Sequence, residues 1–249
     1  MKADRLIQAL SLPDTCLVNQ KVPKTVLTAQ AATGAADKRL IKQGIEIVSW
    51  IAALKPDSIG VPACKDARRE YLEVSILHVA LRPKAKTSRL IKLIHRAVPY
   101  PVLLIASIED SVSISVAHKR WAQNEKDIMV IEDGFPQTTE ITDKAPEEFF
   151  EHLSLSSLPK QNMFALYSGW INTLTALEAF YISGRFRIDS QELETPERKK
   201  AIIQIRSIES EITRLKRQAA KESQMQRLVD INMKIKGLEA SLKGLVEKI

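Results

Sequence analysis

Two runs of apolar residues near the end of the sequence constrain the fold more than any other feature, because their members are spaced alternately three and four positions apart. The first run comprises Ile205, Ile208, Ile212, Leu215 and Ala219. The second comprises Leu228, Ile231, Ile235, Leu238, Leu242, Leu245 and Ile249. This spacing places apolar side chains along one side of an α-helix, as in the seam of a coiled coil. The sequence therefore predicts two long helices.

The two runs do not share one register, since continuing the first beyond Ala219 reaches the polar residues Glu222 and Gln226. A break within residues 221–225 restores both registers. We therefore predict an antiparallel helical hairpin with coiled-coil seams over residues 191–249. One continuous helix with a stutter is the alternative. Each arm is short, so the hairpin must pack against itself, the rest of the chain or a second copy, and a homo-oligomer through the hairpin stays open.

Residues 1–190 alternate between the helical and the extended apolar pattern, which predicts a separate domain. We predict an α/β (mixed α+β) core with a central mixed sheet. The predicted helices are residues 1–12, 35–54, 87–97, 146–153 and 162–186, and the predicted strands are residues 71–81, 102–108, 112–116 and 127–132. The apolar helix 162–186 contains Glu178, Gln161 precedes it, and we predict that it is buried rather than membrane-spanning.

The formal net charge of +7 is unevenly distributed. Residues 1–133 hold 20 Lys and Arg against 14 Asp and Glu, a balance of +6. Residues 134–195 hold 4 against 9, a balance of −5, and residues 196–249 hold 13 against 7, a balance of +6. The first 195 residues are therefore close to neutral, and most of the excess lies on the predicted hairpin. A basic face of this kind can bind a phosphate backbone or an acidic partner protein. The alternative is that it only keeps the protein soluble.

Three groups of cations are candidate nucleic-acid-binding residues. The first group is Lys21, Lys24, Lys38 and Arg39; the second is Arg82, Lys84, Lys86 and Arg89, continued by Lys92 and Arg96; the third, on the hairpin, is Lys199, Lys200, Arg214 and Arg217. Residues 187–249 contain no Phe, Trp or Tyr, so the hairpin is not expected to stack on bases. Scattered, solvated side chains are the competing interpretation for all three groups.

The sequence contains no motif that identifies a reaction. It lacks the glycine-rich phosphate loops and the nucleophile elbow, and its four histidines and two cysteines do not show metal-ligand spacing. No catalytic residue, metal site or cofactor is predicted. A divergent metal-dependent nuclease stays an alternative, with Glu73 and Asp66 as its first candidate carboxylates.

The first residues lack a basic region followed by an apolar run, so no secretory signal is expected. Two cysteines, Cys16 and Cys64, do not form a disulfide framework and fit a reducing compartment. We expect a cytoplasmic protein that does not enter a membrane.

Several short stretches carry a resemblance to a known family. They are Asn-x-Lys-x-Pro-Lys at residues 19–24, Ile-Val-Ser-Trp at 47–50 followed by Ile-Gly-Val-Pro-Ala at 59–63, the strand at 70–81, Ile-His-Arg-Ala-Val-Pro-Tyr at 94–100, and the segment 221–232. Together they resemble the bacterial and archaeal family called domain of unknown function 4391. The resemblance spans nearly the whole chain and implies no catalytic residue.

Members of this family are often encoded beside helicases and DNA methyltransferases of restriction-like or phage-defence loci. The resemblance therefore implies an accessory role in antiviral defence, with a larger helicase or methyltransferase-type protein as partner. Combined with the charge distribution, it leads us to expect a non-enzymatic adaptor that binds a protein partner and, through its basic faces, DNA.

Overall fold

A computed structural model of the chain describes residues 3–30, 34–123, 128–188 and 194–249. The chain divides into two compact units, residues 1–174 and 175–249. The division falls within one long helix, whereas the predicted domain boundary at 190/191 lies outside the described residues. The first unit has the predicted architecture, a mixed α/β core around a central sheet.

The central sheet of the first unit has six strands: β1 Leu17–Lys21, β2 Ile45–Leu54, β5 Val74–Leu81, β6 Val102–Ile108, β7 Ser111–Val116 and β10 Gln137–Glu140. Their order in the sheet is β1-β2-β5-β6-β7-β10. All neighbouring pairs are antiparallel except β5 and β6, which are parallel and connected by helix α5 (Thr87–Ala97). A parallel pair needs such a crossover, because its strands run in the same direction.

Two short strand pairs stand beside the sheet. They are β3 Cys64–Lys65 with β4 Glu70–Tyr71, and β8 Lys119–Trp121 with β9 Met129–Ile131. Within the described residues, the α-helices are α1 Ala3–Ala9, α2 Lys24–Gln30, α3 Ala35–Gly44, α4 Pro56–Ile59, α5 Thr87–Ala97, α6 Glu147–Leu153, α7 Met163–Ser183, α8 Glu194–Ala219 and α9 Met225–Val246. The predicted strands 102–108 and 112–116 correspond to β6 and β7, which form an antiparallel hairpin with its turn at Glu109 and Asp110.

Helices α2, α3 and α5 cover one face of the sheet. Leu27, Ile41 and Leu90 of these helices belong to one buried cluster with the strand residues Val79 and Leu104. Strand residues that alternate with this set, such as Ile76, Leu103 and Ile105, are also fully buried. The sheet is therefore buried on both faces, because successive strand residues point to opposite sides.

The prediction of one helix over residues 35–54 was wrong in its second half, since α3 ends at Gly44 and β2 begins at Ile45. The residues of β2 that are buried are Ile45, Val48, Ala52 and Leu54. Two bulges interrupt the pairing of β2 with β5, between Ile45 and Ile47 and between Trp50 and Ala52. Each bulge adds one residue and displaces the alternation of the strand. The resulting steps of three and four resemble helical spacing.

The second unit contains the predicted helical hairpin. Helix α8 ends at Ala219 and α9 begins at Met225, so the predicted break is confirmed and a continuous helix is excluded. Ile212 and Leu215 of α8 pack against Ile231 and Ile235 of α9 in a buried cluster. Lys216 pairs with Glu239 at 3.0 Å.

A second apolar cluster lies at the other end of the hairpin, where Ile205 packs with Ile249, Ala179, Leu242 and Leu245. The remaining predicted seam residues, Ile208, Leu228 and Leu238, are half-buried. Ala179 belongs to α7, so the final turns of that helix pack with the hairpin. Among the helices in the described ranges, none has the length and apolar character that crossing a membrane requires.

Ile235→Ala should destabilise the hairpin by about 2–4 kcal/mol, because it removes buried methyl groups from the cluster between α8 and α9. Chemical denaturation followed by circular dichroism measures the change. Met233→Ala is the matched control, since Met233 lies two residues away on α9 and is 68% exposed. The control should change stability by less than about 0.5 kcal/mol. Equal effects of the two substitutions would contradict the packing described.

Candidate anion-binding site

A cavity of about 780 Å³ in the first unit contains three cationic side chains, those of Lys92, Arg96 and Arg120. Its remaining wall includes the apolar residues Ile128, Met129 and Val130 on and beside β9. The volume lies within the range of roughly 300–1,000 Å³ that is usual for ligand pockets. Cations grouped in a recess attract an anionic ligand. We call this recess the cationic cavity.

Helix α5 supplies two of the cations because of its amphipathic sequence. Leu90, Ile91, Leu93, Ile94 and Ala97 are buried against the sheet. Lys92 and Arg96 are four positions apart and therefore lie on the same side of the helix. Lys92 is half-buried and Arg96 is exposed.

Strand β8 supplies the third cation. Lys119 of this strand is 1% exposed, whereas the next residue, Arg120, is half-buried and lines the cavity. The alternation of side chains along a strand explains the difference between the two neighbours. Arg120 Nη1 donates to the carbonyl oxygen of Trp121 at 3.0 Å. Across residues 3–30, 34–123, 128–188 and 194–249, none of the three cavity cations forms an ion pair.

Two buried tyrosines hold the backbone immediately before Arg120. The Tyr167 hydroxyl accepts from the backbone N–H of Ala117 at 2.8 Å and donates to the carbonyl oxygen of Val102 at 2.7 Å. The Tyr71 hydroxyl accepts from the backbone N–H of Lys119 at 3.2 Å. Burial raises the pKa of both phenols, so they stay protonated and can serve as donors.

His118 completes this network. Its Nδ1 lies 2.7 Å from the Tyr71 oxygen, and its Nε2 lies 3.5 Å from Oγ of Ser168. Ser168 donates to the carbonyl oxygen of Phe164 at 2.8 Å, so its oxygen is left to accept. With the ring proton on Nε2, Nδ1 accepts the hydrogen bond from the Tyr71 hydroxyl and Nε2 donates to Oγ of Ser168. This tautomer therefore gives both ring nitrogens a hydrogen-bond partner. The ring also stacks on Phe164 at 4.8 Å, which fixes its orientation.

Lys119 and His95 are buried beneath this segment. The ammonium group of Lys119 donates to the carbonyl oxygen of Val98, just beyond the end of α5. Burial lowers the pKa of Lys119 to about 7. His95 Nε2 lies 3.0 Å from Oγ of Ser115, and its Nδ1 has no partner within the described residues. Burial, and secondarily the charge of Lys119, lowers the pKa of His95 to about 3.

The first two groups of predicted cations are not all available to a ligand. Arg89 forms a bidentate pair with the buried carboxylate of Asp37, with distances of 3.0 and 2.6 Å. Lys24 donates to the carbonyl oxygen of Ile45 at 2.6 Å, so it links α2 to β2. Arg39 bonds Gln43 on its own helix at 3.2 Å. The other predicted cations of these groups are exposed: Lys21, Lys38, Arg82, Lys84 and Lys86.

On the hairpin, carboxylates neutralise part of the basic excess. Arg214 pairs with Glu211 through two bonds of 2.8 and 2.6 Å, and Arg206 pairs with Glu178 at 3.1 Å. Lys200 and Arg217 are exposed, and Lys199 is half-buried. The formal charge of the hairpin therefore overstates the charge that it offers to a ligand.

The candidate nuclease carboxylates have structural partners. Both bonds of Asp66 come from the backbone, since its Oδ1 accepts from the N–H groups of Arg68 and Arg69 at 2.7 and 2.8 Å. Glu73 accepts from Ser75 at 3.1 Å and lies 3.7 Å from Lys55. Over the part of the chain that the structure describes, no group of three or more His, Cys, Asp or Glu side chains could hold a metal ion.

Sequence reasoning missed Arg120, which joins Lys92 and Arg96 only because β8 packs beside the end of α5. The second predicted cation group contains Lys92 and Arg96, but within a longer run that starts at Arg82. A useful signal was the step of four from Lys92 to Arg96 on the polar side of an amphipathic helix. Nothing in the sequence indicated a strand at Lys119–Trp121.

The family model described as "Domain of unknown function (DUF4391)" matches residues 10–242. No curated protein and no solved structure matches the chain.

The buried Lys119 predicts a pH dependence of stability. Its pKa is about 7 in the folded chain and near 10.5 when exposed, so the unfolded chain binds an extra proton between these values. The free energy of unfolding should therefore rise with pH above about 7, by up to about 1.4 kcal/mol per pH unit from this residue. Urea titrations at several pH values between 7 and 9.5 or so measure the slope.

Lys119→Met should remove this rise, because methionine keeps most of the side-chain volume without a titrating group. Lys144→Met, at an exposed position, should leave the slope unchanged. A Lys119→Met variant with the slope of the unsubstituted chain would show that Lys119 is not the group responsible.

Proposed function

The chain belongs to the DUF4391 family, whose model spans nearly all of it, and from this premise we propose that it is an accessory subunit of a DNA-acting complex. In this proposal the cationic cavity binds nucleic acid phosphates and the helical hairpin binds a protein partner. The chain itself carries out no chemistry on the nucleic acid. The cavity, with Lys92, Arg96 and Arg120 in one recess, is the observation that carries the proposal.

The chemistry of the cavity suits phosphate. Arginine presents a planar set of donors that matches phosphate oxygens, and lysine adds a mobile positive charge. No carboxylate of the described chain pairs with these three side chains, so a ligand need not displace one. In contrast, Arg89 and Arg214 are each held by a carboxylate through two bonds. Of the cation groups, the cavity is therefore the best supported phosphate site.

The hairpin supports the adaptor part of the proposal through its exposed apolar residues. Met225, Val229 and Met233 are 76, 49 and 68% exposed and follow one another at steps of four along α9. They therefore form a stripe on one side of the helix. Exposed apolar stripes on helices are typical of surfaces that bind a partner protein. The DNA-acting nature of that partner rests on the family resemblance alone.

Nucleic acid binding should depend on salt and on the cavity cations. If each of the three cations displaces one counterion from the nucleic acid, log Kd should rise by about 2 to 3 for each tenfold increase in salt concentration. Arg96→Gln should weaken binding and reduce this slope by about 1. Fluorescence anisotropy with a labelled oligonucleotide at several salt concentrations measures both quantities. Because Arg96 is exposed, the substitution should leave the fold intact.

Two matched variants test the competing cation groups in the same assay. Arg82→Gln removes an exposed cation from the loop before α5, and Arg217→Gln removes one from the hairpin. Both should bind within about twofold of the unsubstituted chain if the cavity is the site. A larger loss of affinity in either variant than in Arg96→Gln would assign the binding site to that cation group. If the unsubstituted chain does not bind at low salt, the proposal is wrong.

The adaptor part is tested by co-purification from the native host. A tagged chain should retain a protein with helicase or methyltransferase activity. The double variant V229E/M233E should lose this protein, because two charges would enter the apolar stripe. The double variant K200Q/R217Q is the control and should retain it, since neither residue lies on the stripe. Retention by V229E/M233E would contradict the assignment of the partner surface.

A further inference from the structure

A second recess lies beside the cationic cavity. It measures about 540 Å³ and is lined by Arg68, Arg120 and Trp121 and by the carboxylates Glu132 and Asp133. Arg120, Ala122 and Gln123 line both recesses and therefore form the wall between them. Arg120 is thus shared by the two recesses. Together the two recesses form an extended concave surface along the β8–β9 pair, rather than a single closed pocket.

The concave shape of this surface favours single-stranded nucleic acid over a duplex. A duplex is stiff and presents its phosphates on the outside, and its bases are stacked inside. A recess of a few hundred Å³ instead fits a single nucleotide, which an enzyme or binding protein receives only after it leaves the stack. A single strand can bend at each nucleotide and place successive phosphates and bases in adjoining recesses.

An aromatic side chain beside the cavity adds a surface for a base. Phe135 is 71% exposed, which is unusual for a large apolar residue. The ammonium group of Lys92 lies 3.6 Å from the centre of its ring. This cation–π contact orients the ring next to a cation that lines the cavity. One face of the ring is thus held by Lys92, while much of the ring stays open to solvent.

The second recess also has an aromatic wall. Trp121 is half-buried, and its backbone N–H donates to the carbonyl oxygen of Arg68 at 2.8 Å. Arg68 pairs with Glu132 at 2.9 Å, so its charge is partly neutralised. Arg120 is therefore the main cation of this recess. The second recess therefore has an aromatic wall beside Arg120, and Phe135 contacts a cation of the first. Cations combined with aromatic side chains are what proteins use to hold single strands.

We propose that the two recesses bind single-stranded nucleic acid, with a base stacked on Phe135 and phosphates held by Arg96 and Arg120. This inference rests on the proposed function, because it names the kind of nucleic acid that the cationic cavity takes. Base recognition by stacking is tolerant of sequence, since every base has a π face. The site therefore binds single strands of any sequence.

The test measures binding of the full chain by fluorescence anisotropy. The probes are a 20-nucleotide thymine DNA strand, the corresponding uracil RNA strand, and a DNA duplex of equal length. Free deoxythymidine monophosphate is added as a competitor. At least one of the two single strands should bind tenfold or more tightly than the duplex, and the stronger of the two identifies the natural class. The free nucleotide should compete only at concentrations far above that of the strand.

Substitutions at Phe135 separate the contribution of base stacking to the affinity from the contribution of charge. Phe135→Leu should weaken single-strand binding by roughly 5- to 100-fold, because one stacked base loses its aromatic surface. It should leave the salt slope unchanged, since no charge is removed. Phe135→Tyr should bind within about twofold of the unsubstituted chain. Tyr181→Leu, an exposed aromatic position on α7, is the control and should have no effect.

The outcomes distinguish this inference from the proposed function. If the duplex and the single strands bind with equal affinity, and Arg96→Gln weakens the binding of both, the proposed function is supported and the single-strand inference is overturned. Competition by the free nucleotide at the concentration of the strand would assign the recess to a small molecule and overturn it also. Full binding by Phe135→Leu would overturn the stacking contact, and absence of binding to every probe would overturn both proposals.

Discussion

The hydroxyl groups of Tyr71 and Tyr167 hold the backbone on which the candidate site depends. They bond the N–H groups of Lys119 and Ala117, and Tyr71 also bonds His118, so three consecutive residues are held in place. The next residue is Arg120, which reaches the cationic cavity from strand β8. Burial of both phenols keeps them protonated and excludes water that would compete for these bonds. A mobile β8 would carry Arg120 away from Lys92 and Arg96.

The distribution of charge in the fold differs from the distribution along the sequence. The hairpin holds most of the formal excess, yet Arg206, Arg214 and Lys216 are paired with carboxylates. The first 195 residues are nearly neutral, yet they bring three cations into one cavity. Lys119, a fourth cation near these elements, is buried and its pKa is lowered, so it adds little charge above neutral pH. Net charge over a segment therefore does not locate an anion site, because pairing and burial decide which charges are available.

Some features of the fold could be predicted from the sequence and others could not. The break between the two hairpin helices was predictable, because the two apolar runs have different registers and only a few residues separate them. The helix α5 was predictable from its strong amphipathic pattern. Strand β2 was not, since its two bulges convert an alternating pattern into steps of three and four. The cavity was only partly predictable: Lys92 and Arg96 share one helix, but Arg120 joins them through a tertiary contact of a three-residue strand.

The most direct measurement is amide hydrogen exchange of the full chain with and without the 20-nucleotide thymine strand. Exchange reports which backbone segments a bound ligand protects. We predict slower exchange at residues 119–123 and 128–135 and at the end of α5, with no change in α8 and α9. Protection confined to α8 and α9, with none around Arg120 and Phe135, would contradict the assignment of nucleic acid binding to the cationic cavity.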